Sequence, residues 1–196
     1  QGIYDLAYLS HMPHMTVLAP KNRYELEQAF DYAFACEGPV AIRYPRGTAC
    51  ELWRDQQAPI EYGKSEILHA GEEIAILAVG NMLTEAQVAC DRLRERGKDV
   101  TLVNARFVKP LDKAGIRELC TTHRVLCTME ENVYQGGYGE AVGAYLKEEG
   151  LDITFLPIAI QDQFVEHGSV QELRKMLHID GKSVADRIIK VITEQE

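Results

Sequence analysis

Two arginines three positions apart, on either side of a tyrosine and a proline, have the chemistry of an anion site. The run GPVAIRYPRG over residues 38–47 starts as an apolar strand and ends in Arg43 and Arg46. Pro45 fixes φ and Gly47 permits close backbone approach, so both guanidinium groups are delivered at the end of a strand. Planar guanidinium groups bind phosphate through paired hydrogen bonds. The alternative from the residues alone is that these arginines form structural ion pairs with nearby carboxylates.

A second run combines two carboxylates with a glycine-rich turn. Residues 130–139 read EENVYQGGYG, so that Glu130 and Glu131 leave a predicted strand and the glycines lead into a predicted helix. A glycine-rich helix start can bind an anion, but two glutamates would repel phosphate, and the spacing matches neither common nucleotide-binding fingerprint. This run favours a packing or subunit-interface role, with anion binding at the turn or catalysis by either glutamate as alternatives.

Alternating strand and helix patterns position these two runs. An apolar strand at residues 15–18, helical spacing up to Phe34 and the strand at 39–44 predict a strand–helix–strand unit with parallel strands. Periodicity is lost beyond Thr48, and we predict an interdomain linker at residues 51–62.

Beyond the linker the sequence predicts a complete α/β layer domain with a mostly parallel sheet. Strands are expected at 65–69, 74–79, 100–103, 125–129 and 153–160, with helices between and after them. Asp112 and Ser169 have the positions of helix caps. Ligands of such sheets lie beyond the carboxyl ends of the strands, which here are residues 80–81, 104–106, 130–132 and 161–162.

Composition limits the classes of function. The chain has 196 residues and a net charge of −9, with 21 basic against 30 acidic side chains, which argues against a nucleic-acid partner. No apolar run approaches the roughly 20 residues that cross a bilayer, so no membrane partner is expected. The N-terminal residues do not resemble a signal peptide, and we expect a cytoplasmic location. No residue pattern suggests a metal site.

Taken together, the motifs closely resemble the 1-deoxy-D-xylulose 5-phosphate synthase family of transketolase-like thiamine diphosphate enzymes. They are QGIYDLAYL at the start, LAP at 18–20, RYPRG at 43–47, RFVKPLD at 106–112 and the run at 130–139, and the resemblance covers essentially the whole chain. It implies that residues 1–50 are the end of a parallel-sheet pyrimidine-binding domain. Residues 51–62 would be the linker, and residues 63–196 a transketolase C-terminal-like three-layer α/β domain.

The resemblance also implies an activity. Enzymes of this family condense pyruvate with D-glyceraldehyde 3-phosphate, with loss of carbon dioxide, on thiamine diphosphate held with Mg²⁺, and supply isoprenoid, thiamine and pyridoxal synthesis. They are expected to be homodimers. Arg46 matches the family's arginine that binds the substrate phosphate. Arg43 and Tyr44 would be supporting substrate-binding residues, although Arg43 is equally suited to hold a carboxylate.

The sequence lacks several residues of the family pattern. The family's ligands for the diphosphate and magnesium, and the glutamate that activates the aminopyrimidine ring, have no counterpart in this chain. The chain also opens on Gln1 without a methionine, inside a motif. We therefore expect a fragment whose N-terminal portion is missing, which carries no catalytic, cofactor-binding or metal-binding residue and is inactive alone.

Three alternatives compete with this interpretation. The chain could be part of a different thiamine enzyme, either one half of a transketolase or the beta subunit of a 2-oxo acid dehydrogenase. It could also be a non-catalytic module whose work is dimerisation, since obligate interfaces bury upwards of roughly 2,000 Å² and the family's last domain contributes to the dimer.

Overall fold

The computed structural model describes residues 2–194, which form seven helices and eight strands. In chain order the elements are α1 (Asp5–Ser10), β1 (Thr16–Leu18), α2 (Arg23–Ala35), β2 (Val40–Ile42), β3 (Glu66–His69), β4 (Ile74–Ala78), α3 (Met82–Glu95), β5 (Val100–Asn104), β6 (Phe107–Lys109), α4 (Lys113–Thr122), β7 (Val125–Val133), α5 (Tyr138–Glu148), β8 (Thr154–Ile160), α6 (Val170–Met176) and α7 (Gly181–Thr193).

A small three-stranded sheet has the order β2-β1-β6. β1 and β2 are parallel and joined through α2, as the sequence predicts. β6 comes from beyond the predicted linker and pairs antiparallel to β1, which the sequence analysis did not foresee because a three-residue strand has too short a pattern. β2 lies at the edge of this sheet and is half-buried.

A larger five-stranded sheet has the order β3-β5-β4-β7-β8. β5, β4, β7 and β8 are mutually parallel, whereas β3 is antiparallel to β5 at one edge. Alternate residues of β4 enter two different cores, one shared with α3 and α7 and the other shared with α1, α4 and α5. Burial on both faces explains why this strand has no polar alternation. The predicted α/β fold class, with three layers in the larger unit, is confirmed.

Side chains cap the N-termini of several helices. Asn22 accepts a hydrogen bond from the Glu25 amide at the start of α2, and Asp112 accepts one from the Gly115 amide at the start of α4. The predicted capping box of Ser169 and Glu172 is present at the start of α6. These caps satisfy amide groups that have no partner within the helix, and they fix where each helix enters the fold.

The polar stretch predicted to be a linker is tied to its surroundings. The Asn22 side chain donates to the carbonyl of Leu52, and Gln56 donates to the carbonyl of Leu68. The domain boundary at residues 51–62 stays a prediction, because β6 shows that the two regions also share a sheet. Among the described residues, no helix combines the length and the apolar character needed to cross a membrane.

Candidate functional site

Two of the four strand ends that the sequence analysis singled out, residues 80–81 and 130–132, contribute to a cleft of about 1340 Å³. Asn104 and Arg106, from a third strand end, lie in a separate buried cluster with Glu25. The walls of the cleft are formed by residues 43–50 after β2, Asn81 after β4, Glu131 near the end of β7 and one side of α6. The predicted gathering of polar groups from different strands therefore occurs at Asn81 and Glu131, where the Asn81 amide donates to the Glu131 carboxylate over 2.8 Å. The cleft mixes charged groups with an apolar wall that includes Val165 and Leu173.

Arg46 is exposed on the loop that borders this cleft. No hydrogen bond or ion pair joins its guanidinium group to another residue within the described range 2–194. Gly47, which follows, has a φ of 137°, a backbone conformation that residues with a side chain rarely adopt. Tyr44 is also exposed and lines the same cleft. The loop therefore presents a guanidinium group and a phenol that form no hydrogen bond with any residue of the range 2–194.

Arg43, by contrast, is engaged by the protein itself. Its guanidinium group forms an ion pair with Asp5 at 3.4 Å and with Glu131 at 3.8 Å. It also donates to the Gly2 carbonyl at 2.9 Å and to the Asn81 side-chain oxygen at 3.2 Å. These are the carboxylate contacts that the sequence analysis gave as the alternative to substrate binding for this residue.

Glu131 is the carboxylate on which this network converges. Arg174 of α6 donates from Nε to one Glu131 oxygen at 2.8 Å, and a second ion pair links Arg174 to Glu85 at 3.2 Å. Arg43 donates to the Glu131 backbone carbonyl at 3.2 Å. The sequence alone does not predict a role for Arg174, because its partners lie far away in the chain and form no local pattern with it.

Glu130 has a different environment from its neighbour. It is fully buried, and its two carboxylate oxygens accept hydrogen bonds from the amides of Tyr138 at 2.8 Å and Gly139 at 2.7 Å. A Cβ atom at Gly137 would lie 2.6 Å from this carboxylate, which explains the glycine there. Burial raises the pKa of Glu130 to about 7, and the two amide bonds oppose that shift. The amides of the glycine-rich turn are thus engaged by the protein's own Glu130 side chain.

A second charged cluster is fully removed from water. Lys21 contacts Glu66 at 2.5 Å and Glu25 at 3.5 Å, and Arg106 contacts Glu25 at 2.6 Å and Glu66 at 3.1 Å. The Asn104 amide donates to both carboxylates. Two positive and two negative groups therefore neutralise one another, as burial of charge requires.

Arg106 is the member of this cluster that a sequence motif could have marked as important. It opens the RFVKPLD motif, but sequence reasoning used that motif only for family resemblance and assigned no role to its arginine. In the structure its backbone is left-handed, with a φ of 57°, and its side chain donates to the carbonyls of Pro59 and Ala58 as well as to the carboxylates. Those bonds hold a strained backbone and the linker segment together.

Among residues 2–194 no group of three histidine, cysteine or carboxylate side chains is arranged to bind a metal ion. The amides of Tyr138 and Gly139 at the glycine-rich turn are already engaged by Glu130.

Comparison with known families identifies the class of protein. Residues 63–184 match the family model described as the transketolase C-terminal domain, and residues 1–51 match the transketolase pyrimidine-binding domain. The chain therefore belongs to the transketolase family.

Within that family the similar curated relatives are 1-deoxy-D-xylulose-5-phosphate synthases. The protein of that name from Lachnoclostridium phytofermentans is 44% identical over 97% of this chain and 31% of its own length. The protein from Syntrophomonas wolfei is 40% identical over 95% of this chain and 30% of its own length. The resemblance predicted from the motifs is confirmed, and the chain spans about 31% of the length of the relatives it matches.

Solved structures support the same family. A structure described as a split gene transketolase, inactive beta4 tetramer, superimposes with a TM-score of 0.89 at 28% identity, covering 98% of this chain and 62% of that one. A mutant transketolase from Pichia stipitis in complex with fructose 6-phosphate has a TM-score of 0.74 at 18% identity, covering 98% of this chain and 27% of that one. The second likeness concerns the fold alone.

Proposed function

We propose that this chain is the C-terminal part of a 1-deoxy-D-xylulose 5-phosphate synthase. The whole enzyme would condense pyruvate with D-glyceraldehyde 3-phosphate, with loss of carbon dioxide, using thiamine diphosphate and Mg²⁺ whose ligands lie outside this chain. It would work in the cytoplasm. The identity of 44% over almost the whole chain supports this proposal.

The unpaired guanidinium group of Arg46 is the observation that carries the substrate assignment. A triose phosphate presents a dianionic group with several acceptor oxygens, and a planar guanidinium group matches two of them at once. Arg46 is exposed at the cleft and has no competing partner among residues 2–194. Tyr44 supports it, because its exposed phenol can donate a further hydrogen bond from the same loop.

The test is the Arg46→Ala variant of a full-length enzyme that carries this chain. We expect the KM for D-glyceraldehyde 3-phosphate to rise about 10- to 100-fold, the equivalent of one or two charge-assisted hydrogen bonds. The KM for unphosphorylated D-glyceraldehyde should stay unchanged, because that acceptor has no phosphate. Arg23→Ala is the matched control, since Arg23 lines the same cleft but is paired with Glu51. Equal loss for both acceptors would overturn the phosphate role of Arg46.

We propose further that these residues alone are inactive. The described residues hold no group of three metal-ligating side chains arranged for a metal ion, and the similar split gene transketolase is itself described as inactive. Purified chain mixed with pyruvate, D-glyceraldehyde 3-phosphate, thiamine diphosphate and Mg²⁺ should give no product. Detectable product would contradict this.

The proposed full-length enzyme is a homodimer, and this chain contributes to its contacts. The oligomeric description of the similar split gene transketolase supports association. Light scattering of the purified chain at micromolar concentration tests whether these residues suffice; a strictly monomeric chain would place the dimer contacts elsewhere.

A second candidate is a different thiamine enzyme, a split transketolase, favoured by the structural match that covers 98% of this chain. Substrate profiling separates the two. A synthase releases carbon dioxide from pyruvate in the presence of the triose phosphate, whereas a transketolase transfers a two-carbon unit from a ketose phosphate without that release.

A further inference from the structure

We propose that Glu131 is a positioning residue, which fixes Arg43 and through it the loop that carries Arg46. The inference rests on the proposed phosphate-binding role of Arg46 and goes beyond it, because it assigns the geometry of that site to a carboxylate that does not touch the substrate. Two sets of contacts and one argument from conformational entropy support it.

First, both oxygens of the Glu131 side chain are occupied by groups from three separate segments of the chain. One oxygen accepts from Arg174 at 2.8 Å. The other accepts from Asn81 at 2.8 Å and faces the Arg43 guanidinium group at 3.8 Å. The side chain is 17% exposed, so its charge is screened less than that of a surface residue. Glu131 is therefore placed to hold two arginines that would otherwise repel each other.

Second, Arg43 is the anchor from which the loop leaves the sheet. Its amide donates to the Leu18 carbonyl at 2.8 Å, which ends the pairing of β2 with β1. No hydrogen bond joins residues 44–49 to any other part of the described chain. The loop is tied down again only where the Cys50 carbonyl accepts from the Arg23 amide at 3.3 Å. The place of Arg46 therefore depends on how firmly Arg43 is held.

Third, the order of the Arg46 side chain before binding sets how much conformational entropy is lost when phosphate binds. A side chain that is ordered before it binds loses less conformational entropy on binding, so preorganisation raises affinity without a new contact. Removing the negative charge of Glu131 would leave Asp5 as the only carboxylate paired with Arg43 among the described residues. Arg43 would then move more freely, and the loop with it.

The experiment compares two charge-removing variants of this chain, Glu131→Gln and Glu85→Gln. Both carboxylates pair with Arg174, but only Glu131 also contacts Arg43. Glu85→Gln is therefore the matched control for loss of an ion pair in the same network. The probe is inorganic phosphate, titrated against sodium chloride at equal ionic strength while the Nε signal of Arg46 is followed by NMR. Thermal unfolding checks that each variant folds.

We expect Glu131→Gln to weaken phosphate binding about tenfold, which corresponds to about 1.4 kcal/mol, and Glu85→Gln to change it less than about twofold. Backbone ¹⁵N relaxation should show residues 44–49 more mobile on the picosecond to nanosecond timescale in Glu131→Gln alone. A purely structural role would not produce this contrast between the variants. In a full-length enzyme, the same substitution should raise the KM for the triose phosphate and leave kcat unchanged.

The inference is overturned if Glu131→Gln binds phosphate as well as the original chain or better, or if both variants weaken binding equally. The failure of the proposed function looks different. In that case Arg46 of the unmodified chain would not respond to phosphate at all, and the relaxation of residues 44–49 in the two variants would still decide whether Glu131 orders the loop.

Discussion

Two charged clusters join the first 50 residues to the rest of the chain, and they differ in their access to water. In the buried cluster, the Lys21 and Glu25 side chains are 1% exposed and meet Glu66 and Arg106, which are 8% and 2% exposed. In the cleft cluster, the Arg43 side chain is 10% exposed and meets Glu131 at 17%. One cluster is sealed inside the protein, whereas the other borders a cavity.

The difference separates charges that hold the fold from charges that can respond to a ligand. Burial makes each unpaired group expensive, so the buried cluster must remain complete and cannot bind anything else. Breaking a contact in the cleft cluster costs less stability, because water can replace the lost partner. Arg46 stands beyond both clusters, with no partner in the described part of the chain, and this makes it the candidate for binding.

Breaking the buried cluster should have the largest effect. Arg106→Met leaves the Glu25 and Glu66 carboxylates with Lys21 as their only cationic partner in the cluster, and we expect the free energy of unfolding to fall by about 3–5 kcal/mol. Urea denaturation followed by circular dichroism measures this. A loss below about 1 kcal/mol would show that the buried charges do not depend on one another.

The pH dependence of stability tests how burial acts on the carboxyl group of Glu130, which forms no ion pair within residues 2–194. The folded-state pKa of Glu130 is raised from 4.5 to about 7, so its favourable contribution is complete below about pH 4.5 and is lost as pH rises through 7. Glu130→Gln should remove this part of the pH dependence, which reaches at most about 1.4 kcal/mol per pH unit.

Denaturation series from pH 4.5 to 7.5 provide the measurement. Parallel stability curves for the two proteins would contradict the raised pKa of Glu130. The charge of Arg43 lowers this pKa, so Arg43→Met should shift the transition of Glu130 to higher pH. Such a shift would connect the buried carboxylate to the cleft cluster.

Arg43→Met should cost less stability than Arg106→Met, about 1–2 kcal/mol, because water replaces part of what is lost. The loss should shrink between 50 mM and 500 mM salt, whereas that of Arg106→Met should hardly change, since buried pairs are screened less. Denaturation at both salt concentrations measures the contrast. Equal salt dependence in the two variants would mean that salt screens the two clusters equally, despite their different burial.

The smallest effect is expected at a pair exposed on both sides. Arg96 and Asp186 lie 2.7 Å apart, with side chains 42% and 48% exposed. Arg96→Ala should lower the free energy of unfolding by no more than about 0.5 kcal/mol, because water screens the pair and side-chain entropy opposes it. A loss above about 1 kcal/mol would weaken burial as the explanation for the order of these effects.

The sequence by itself determined most of the elements, the family and the arginine-bearing loop. Continuous apolar runs such as 74–79 report a strand buried on both faces, and Ser169 with Glu172 reports a helix start, because these signals arise between residues close in the chain. The rule that strand ends share one edge of a sheet also brought Asn81 and Glu131 together.

Only the tertiary structure decided which arginine is paired and which is free. Arg43 and Arg46 stand in the same local pattern, yet one meets Asp5 and Glu131 while the other meets no charged partner in the described range. The carboxylate partners of Arg106 likewise come from α2 and β3, which lie 81 and 40 positions away in the chain. Ion pairing depends on distances of a few ångströms in space, and separation along the chain does not determine those distances.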